Sequence, residues 1–199
     1  MLLANLPPTQ THVRFALAVT AVLLIAFAVT LPFRNILLPP FAPSIAILQT
    51  AITINDLITA VLLYSQFSIV RQRGLLILAS GYLYSALIVI PYALTFPGVY
   101  APTGLLGAGL QTTSWLYWCW HLGLPFAIIA YAMLKDADRK IAAAEGPASP
   151  VIALSAGIVV ASVCGLALLA IVGEPFLPKI QSDALKVNVS LQLFFIAAV

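Results

Sequence analysis

The chain has 199 residues, 62% of them hydrophobic and 8% charged, with a net charge of +3 and a mean hydropathy of +1.08. Soluble domains carry roughly 25% charged residues to cover a water-facing surface, so this composition excludes a soluble globular enzyme and makes lipid the main solvent. The small positive charge, without a Lys/Arg run or basic–aromatic interleaving, excludes a nucleic-acid partner. Cys119 and Cys164 lie in apolar stretches and form neither a metal-ligand spacing nor a disulfide framework.

A spanning helix needs about 20 apolar residues, and the runs are taken in chain order. The first extends from Phe15 to about Leu31. It contains Ala26-Phe27-Ala28, a small-residue site of the kind signal peptidases cut, but it continues past that site and further runs follow, so it reads as an uncleaved anchor. The second runs from Pro43 to Phe67, entered through the helix-breaking Leu38-Pro39-Pro40-Phe41-Ala42-Pro43. The third covers Leu75 to about Leu94. A Gly- and Pro-containing segment, Phe96 to Thr112, separates it from the fourth, Thr113 to Leu134. A polar linker, Lys135 to Pro150, precedes the fifth, Val151 to Val172. A sixth begins near Val187 and reaches Val199, too short to cross a bilayer. The expected fold is therefore an all-α integral membrane helical bundle of five complete transmembrane helices plus a truncated sixth. It forms one domain over residues 1–199, cut short before a further helix.

Orientation follows from Lys and Arg in short loops. With the N-terminus in the cytoplasm, Arg14, Arg71, Arg73, Lys135, Arg139 and Lys140 lie inside, and Arg34, Lys179 and Lys186 outside. That bias favours an N-terminus inside.

Polar groups are expensive in hydrocarbon and mark places of interest. On the second helix Gln49, Thr53, Asn55, Asp56, Thr59 and Gln66 fall within an arc of about 160°. Asp56 is the one acidic residue within any predicted span. On the fourth helix Gln111, Ser114, Trp115, Trp118, His121 and Pro125 cluster within about 120°, which turns Trp120 the opposite way, toward lipid. Asp56 precedes Arg71 by 15 residues and His121 precedes Lys135 by 14, so both lie roughly 21–23 Å from their cytoplasmic anchors. Asp56 and His121 are thus expected to face one another near mid-bilayer. The pair is read as a structural pair in which each satisfies the other, as a ligand, proton or cofactor site, or as two groups that never touch. His121 as a haem or metal ligand is a narrower option: the second histidine, His12, lies at the cytoplasmic end of the first helix, and no Cys/His spacing supports it. On the third helix Gly81 and Ser85 form a small-xxx-small pair, and Tyr82 and Tyr84 line a pocket or bond to neighbouring helices. On the fifth, Gly157, Ala161 and Gly165 recur every four residues as a close-packing face, internal or between protomers.

The order of several short motifs resembles the membrane-associated sensor family of type four, in the MASE group. The second helix contributes Asp56-Leu57-Ile58-Thr59-Ala60, Leu62-Leu63 and Gln66-Phe67. The third contributes Leu78-Ala79-Ser80-Gly81-Tyr82-Leu83-Tyr84, followed by Thr95-Phe96-Pro97-Gly98. Then come Gly104-Leu105-Leu106-Gly107-Ala108-Gly109, Gln111-Thr112-Thr113, Trp115-Leu116-Tyr117, Trp120-His121 and Pro125. The likeness covers about Arg14 to Leu134. It implies an input module of the bacterial inner membrane with a cytoplasmic output domain after the last helix, a diguanylate cyclase in the usual case and a histidine kinase in others. Asp56, Thr59, Gln66, Tyr82, Tyr84, Gln111, Trp115, Trp118 and His121 are the candidate ligand-binding or sensing residues. A homodimer in the lipid bilayer is the expected assembly, and no catalytic residue is expected within the chain. The competing readings are a transporter or channel subunit and a haem-binding redox protein. Against the first stand a single intramembrane acid and no inverted repeat.

Overall fold

A computed structural model describes residues 9–33, 43–138, 146–178, 181–183 and 186–187. The sixth apolar run beyond Val187 lies outside the described residues, as do Arg34, Arg139, Lys140 and Lys179. The chain divides into two units, Met1–Phe41 and Ala42–Val199. The first holds α1 (Gln10–Thr30), whose N-cap Thr9 accepts a hydrogen bond from the His12 amide. A 3-10 turn, Leu31–Phe33, ends it at Pro32, where a continuing helix would lose an amide donor.

The second unit holds α2 (Pro43–Val70), α3 (Arg73–Thr95), α4 (Leu110–Asp138) and α5 (Ser149–Val172), then a 3-10 turn at Glu174–Phe176. A small antiparallel pair, β1 (Gln181–Asp183) and β2 (Lys186–Val187), follows. With α1, all five helices are long and apolar enough to cross a membrane. The helices overrun the predicted apolar runs by a few residues because their polar ends continue past the hydrocarbon. Pro43 opens α2 and Pro150 stands in the first turn of α5, where the missing amide costs nothing.

Helix α3 is the centre, packed against α2, α4 and α5. Its buried side runs through Ala79, Gly81, Ser85, Ala86, Val89 and Ala93, residues small enough to bring neighbours close. A Cβ at Gly81 would collide with that of Ala127, and one at Gly123 with the Tyr84 ring, so α3 and α4 approach at Gly81, Gly123 and Ala127. The apolar core comprises Ile88, Tyr92, Leu116, Val159, Val163 and Ala170. Helices α2 and α3 are joined by two residues only. Arg71 adopts a left-handed φ of 59°, its amide donates to the Phe67 carbonyl at 2.9 Å, and its guanidinium bonds the Gly146 carbonyl while lying over the Phe67 ring.

The Gly157, Ala161 and Gly165 face of α5 is exposed, and a Cβ at either glycine meets nothing within 4 Å. Among the described residues of this unit that face is not part of the core: α5 turns Val159, Val163 and Ala170 inward instead, burying its apolar stripe. Gly81→Val should therefore destabilise the domain by about 1–3 kcal/mol through overpacking, whereas Gly157→Ala should leave the monomer's thermal unfolding in detergent unchanged or slightly raised.

Candidate functional site

One stripe of α2, comprising Gln49, Asp56, Ala60 and Phe67, is buried. These positions recur at 7, 11 and 18 residues from the first and so share one helix face. Asp56 is 7% exposed. An Asp at the centre of a membrane helix costs roughly 2.5–3.5 kcal/mol, so the carboxylate requires a donor. Ser85 of α3 supplies it: its hydroxyl donates to Asp56 Oδ2 at 2.6 Å. Trp120 of α4 donates its indole N–H to the same Ser85 oxygen at 3.0 Å. The Trp120–Ser85–Asp56 chain ties three helices through one hydroxyl that donates one bond and accepts another.

His121 is not part of this chain. It is exposed, its Nδ1 donates to the Tyr117 carbonyl at 2.9 Å, and its ring stacks on Tyr117 at 3.9 Å and meets Trp120 edge-on at 4.4 Å between centroids. The expected Asp56–His121 pair is thus corrected, and so is the lipid-facing Trp120. Helix α4 is turned by about 160°, nearly half a turn, relative to the sequence reading. The cause is steric. Cys119, Gly123 and Ala127 form the small-residue stripe that α3 can approach, which brings Trp120 inward and leaves His121 on the outer side. That stripe, opposite Gly81 and Ser85, was the overlooked signal.

The remaining candidates fall in separate places. Tyr84 donates to the Cys119 carbonyl at 3.0 Å, its ring filling the notch at Gly123. Thr59 donates within its own helix to the Asn55 carbonyl at 2.8 Å. Gln66 and Tyr82 are half-buried on α2 and α3, and Trp118 meets Tyr117 edge-on. Gln111 and Trp115 belong to the end of the bundle where α4 begins. There the Gln111 backbone N–H donates to Glu174 Oε1 at 3.2 Å and Trp115 Nε1 to the Pro178 carbonyl at 3.2 Å. Glu174, absent from the expected set, sits at the first turn of α4, where a carboxylate is favoured by the helix dipole. Thr112 lies 3.3 Å from Glu174 Oε2 and donates to the Ala170 carbonyl at 2.9 Å. Gly109 leaves the space the carboxylate occupies.

Toward the opposite end, the Tyr64 hydroxyl joins Ser80 of α3 at 3.2 Å and accepts from Ser155 of α5 at 3.1 Å. Among the described residues no group of three His, Cys, Asp or Glu is placed to share a metal ion.

The fold and this Trp120–Ser85–Asp56 node define a multi-pass integral membrane domain with Asp56 held between its helices. A family profile described as membrane-associated sensor, integral membrane domain (MASE4) matches residues 37–190, more than half of the chain. The chain belongs to this family. The match spans α2 to α5 and excludes α1, so it begins later and ends later than the Arg14–Leu134 stretch that carries the motif resemblance. No curated protein and no solved structure matches the chain.

Three substitutions separate two of the polar ties. Ser85→Ala leaves the Asp56 carboxylate without its donor and should cost about 1–3 kcal/mol, read as a lowered melting temperature, with Trp120→Phe costing less. Glu174→Ala removes a tertiary cap and should cost roughly 0.5–2 kcal/mol by analogy with N-cap loss.

Proposed function

We propose that the domain is the sensory input module of a bacterial inner-membrane signalling protein, its N-terminus and the Arg71 and Lys135 ends of its helices in the cytoplasm. The family assignment to membrane-associated sensors supports the sensory role. Its partner in cis is a C-terminal cytoplasmic output domain, a diguanylate cyclase that makes cyclic-di-GMP. The domain works as a homodimer, with the exposed Gly157, Ala161 and Gly165 face of α5 as the contact between protomers.

The observation that carries the proposal is the hydrogen-bond chain from Trp120 through Ser85 to Asp56. A buried acid held by a single hydroxyl gives the bundle two arrangements of similar free energy: one with the chain intact, one with Asp56 satisfied by a ligand or by water. A cue acts by favouring one of the two. The cue is a small ligand, a lipid or a redox change, and the shift in α2, α3 and α4 reaches the output domain through the last helix.

In the full-length protein, Asp56→Asn and Ser85→Ala should shift cellular cyclic-di-GMP by roughly fivefold or more, the scale of ordinary allosteric coupling. Leu62→Ala, on an exposed face of α2, should leave it unchanged. Output indistinguishable from wild type in both node variants, at normal membrane levels, overturns the role of the node.

A further inference from the structure

Gln49 is 5% exposed, and neither its amide nitrogen nor its amide oxygen has a hydrogen-bond partner among the described residues. Leaving both ends of an amide empty in an apolar interior is a large penalty, and native structures avoid it by placing water or a ligand there. The surroundings carry further unused capacity. Gln49 stands two turns above Asp56 on the same buried face of α2. Since Asp56 pairs with Ser85 and Tyr64 with Ser80 across the antiparallel α2–α3 seam, the register sets Gln49 level with Tyr92 and the residues just after it. Tyr92 is buried, its ring touches Phe96, Tyr117 and Trp120, and among the described residues its hydroxyl has no hydrogen-bond partner. Asp56 Oδ1 is likewise without a donor there, since Ser85 serves Oδ2.

We infer that the half of the α2–α3 seam between Gln49 and Asp56 is a hydrated binding pocket for a small uncharged solute of the amide or hydroxyl type. Such a solute carries a donor and an acceptor side by side, which is the complement of the Gln49 amide. The Tyr92 hydroxyl and Asp56 Oδ1 supply the second donor and acceptor. The pocket deepens the sensory reading, because it ends on the residue that the Ser85–Trp120 chain holds.

The test uses Gln49→Cys in a Cys119→Ser, Cys164→Ser background, in lipid nanodiscs, where reagent reaches both membrane faces and orientation does not matter. The probe is a charged, membrane-impermeant methanethiosulfonate. Only a hydrated thiol ionises to the reactive thiolate, so position 49 should be labelled roughly tenfold or more faster than Leu48→Cys, which faces lipid. Thr53→Cys, on the next turn of the seam, should follow position 49 and replaces it if that variant fails to fold. Equal, slow labelling at 48, 49 and 53 means a dry seam and overturns the pocket, whatever the domain's role in signalling. Acetamide should slow labelling at 49; labelling that is fast and indifferent to acetamide overturns the solute and leaves water as the occupant. Unchanged cyclic-di-GMP in the node variants, with fast labelling here, would sink the signalling role and spare the pocket.

Discussion

The bond between Ser85 and Asp56 is the constraint around which the rest of the bundle is arranged. An acid in hydrocarbon must be met by a donor, and the donor must come from a neighbour close enough to reach a short side chain. Serine reaches only a little way from its backbone, so α2 and α3 have to pack closely at that height. The small residues of α3 make that possible, and Gly81 with Gly123 and Ala127 extends the same closeness to α4. Trp120, with its long side chain, can then span from α4 to the shared hydroxyl. Polar satisfaction and close packing are one requirement here.

Three polar ties cross the bundle at different heights. Tyr64, Ser80 and Ser155 join α2, α3 and α5. Asp56, Ser85 and Trp120 join α2, α3 and α4. At the end where α4 begins, Thr113 donates to the Thr95 carbonyl, and Glu174 with Thr112 links α4 to the end of α5. Helix α3 takes part at every height, so sliding it along its axis breaks hydrogen bonds at all three. Between its two ends α5 meets the core, among the described residues, through apolar contacts such as Val159 and Val163, and these have no preferred direction.

The helices were legible because a membrane span is written in length and hydropathy, which need no tertiary knowledge. Asp56 was legible for the same reason, as a cost that must be met. Its partner was not. A polar and aromatic stripe on α4 looked like the inward face, since soluble intuition sends exposed polarity to water and intramembrane polarity to the interior. In this bundle the inward face is chosen by size: Cys119, Gly123 and Ala127 admit α3, and the histidine satisfies itself on its own helix. Glu174 escaped notice because it lies beyond α5 in sequence and meets α4 only after folding. Gln49 was visible as a polar residue on a stripe, but its lack of partners is a property of the packed seam alone.

The two-residue joint at Arg71 has a mechanical consequence. A left-handed arginine anchored to the Gly146 carbonyl leaves little slack between α2 and α3, while α3 and α4 are separated by the long Phe96–Gly109 segment with its several left-handed positions. The first pair is thus held by its turn, whereas α3 and α4 are held along their length, by the close approach at Gly81, Gly123 and Ala127 and by the Tyr84–Cys119 and Thr113–Thr95 hydrogen bonds. A long connection therefore costs the bundle nothing in rigidity: side-chain locks do between α3 and α4 what chain length does between α2 and α3.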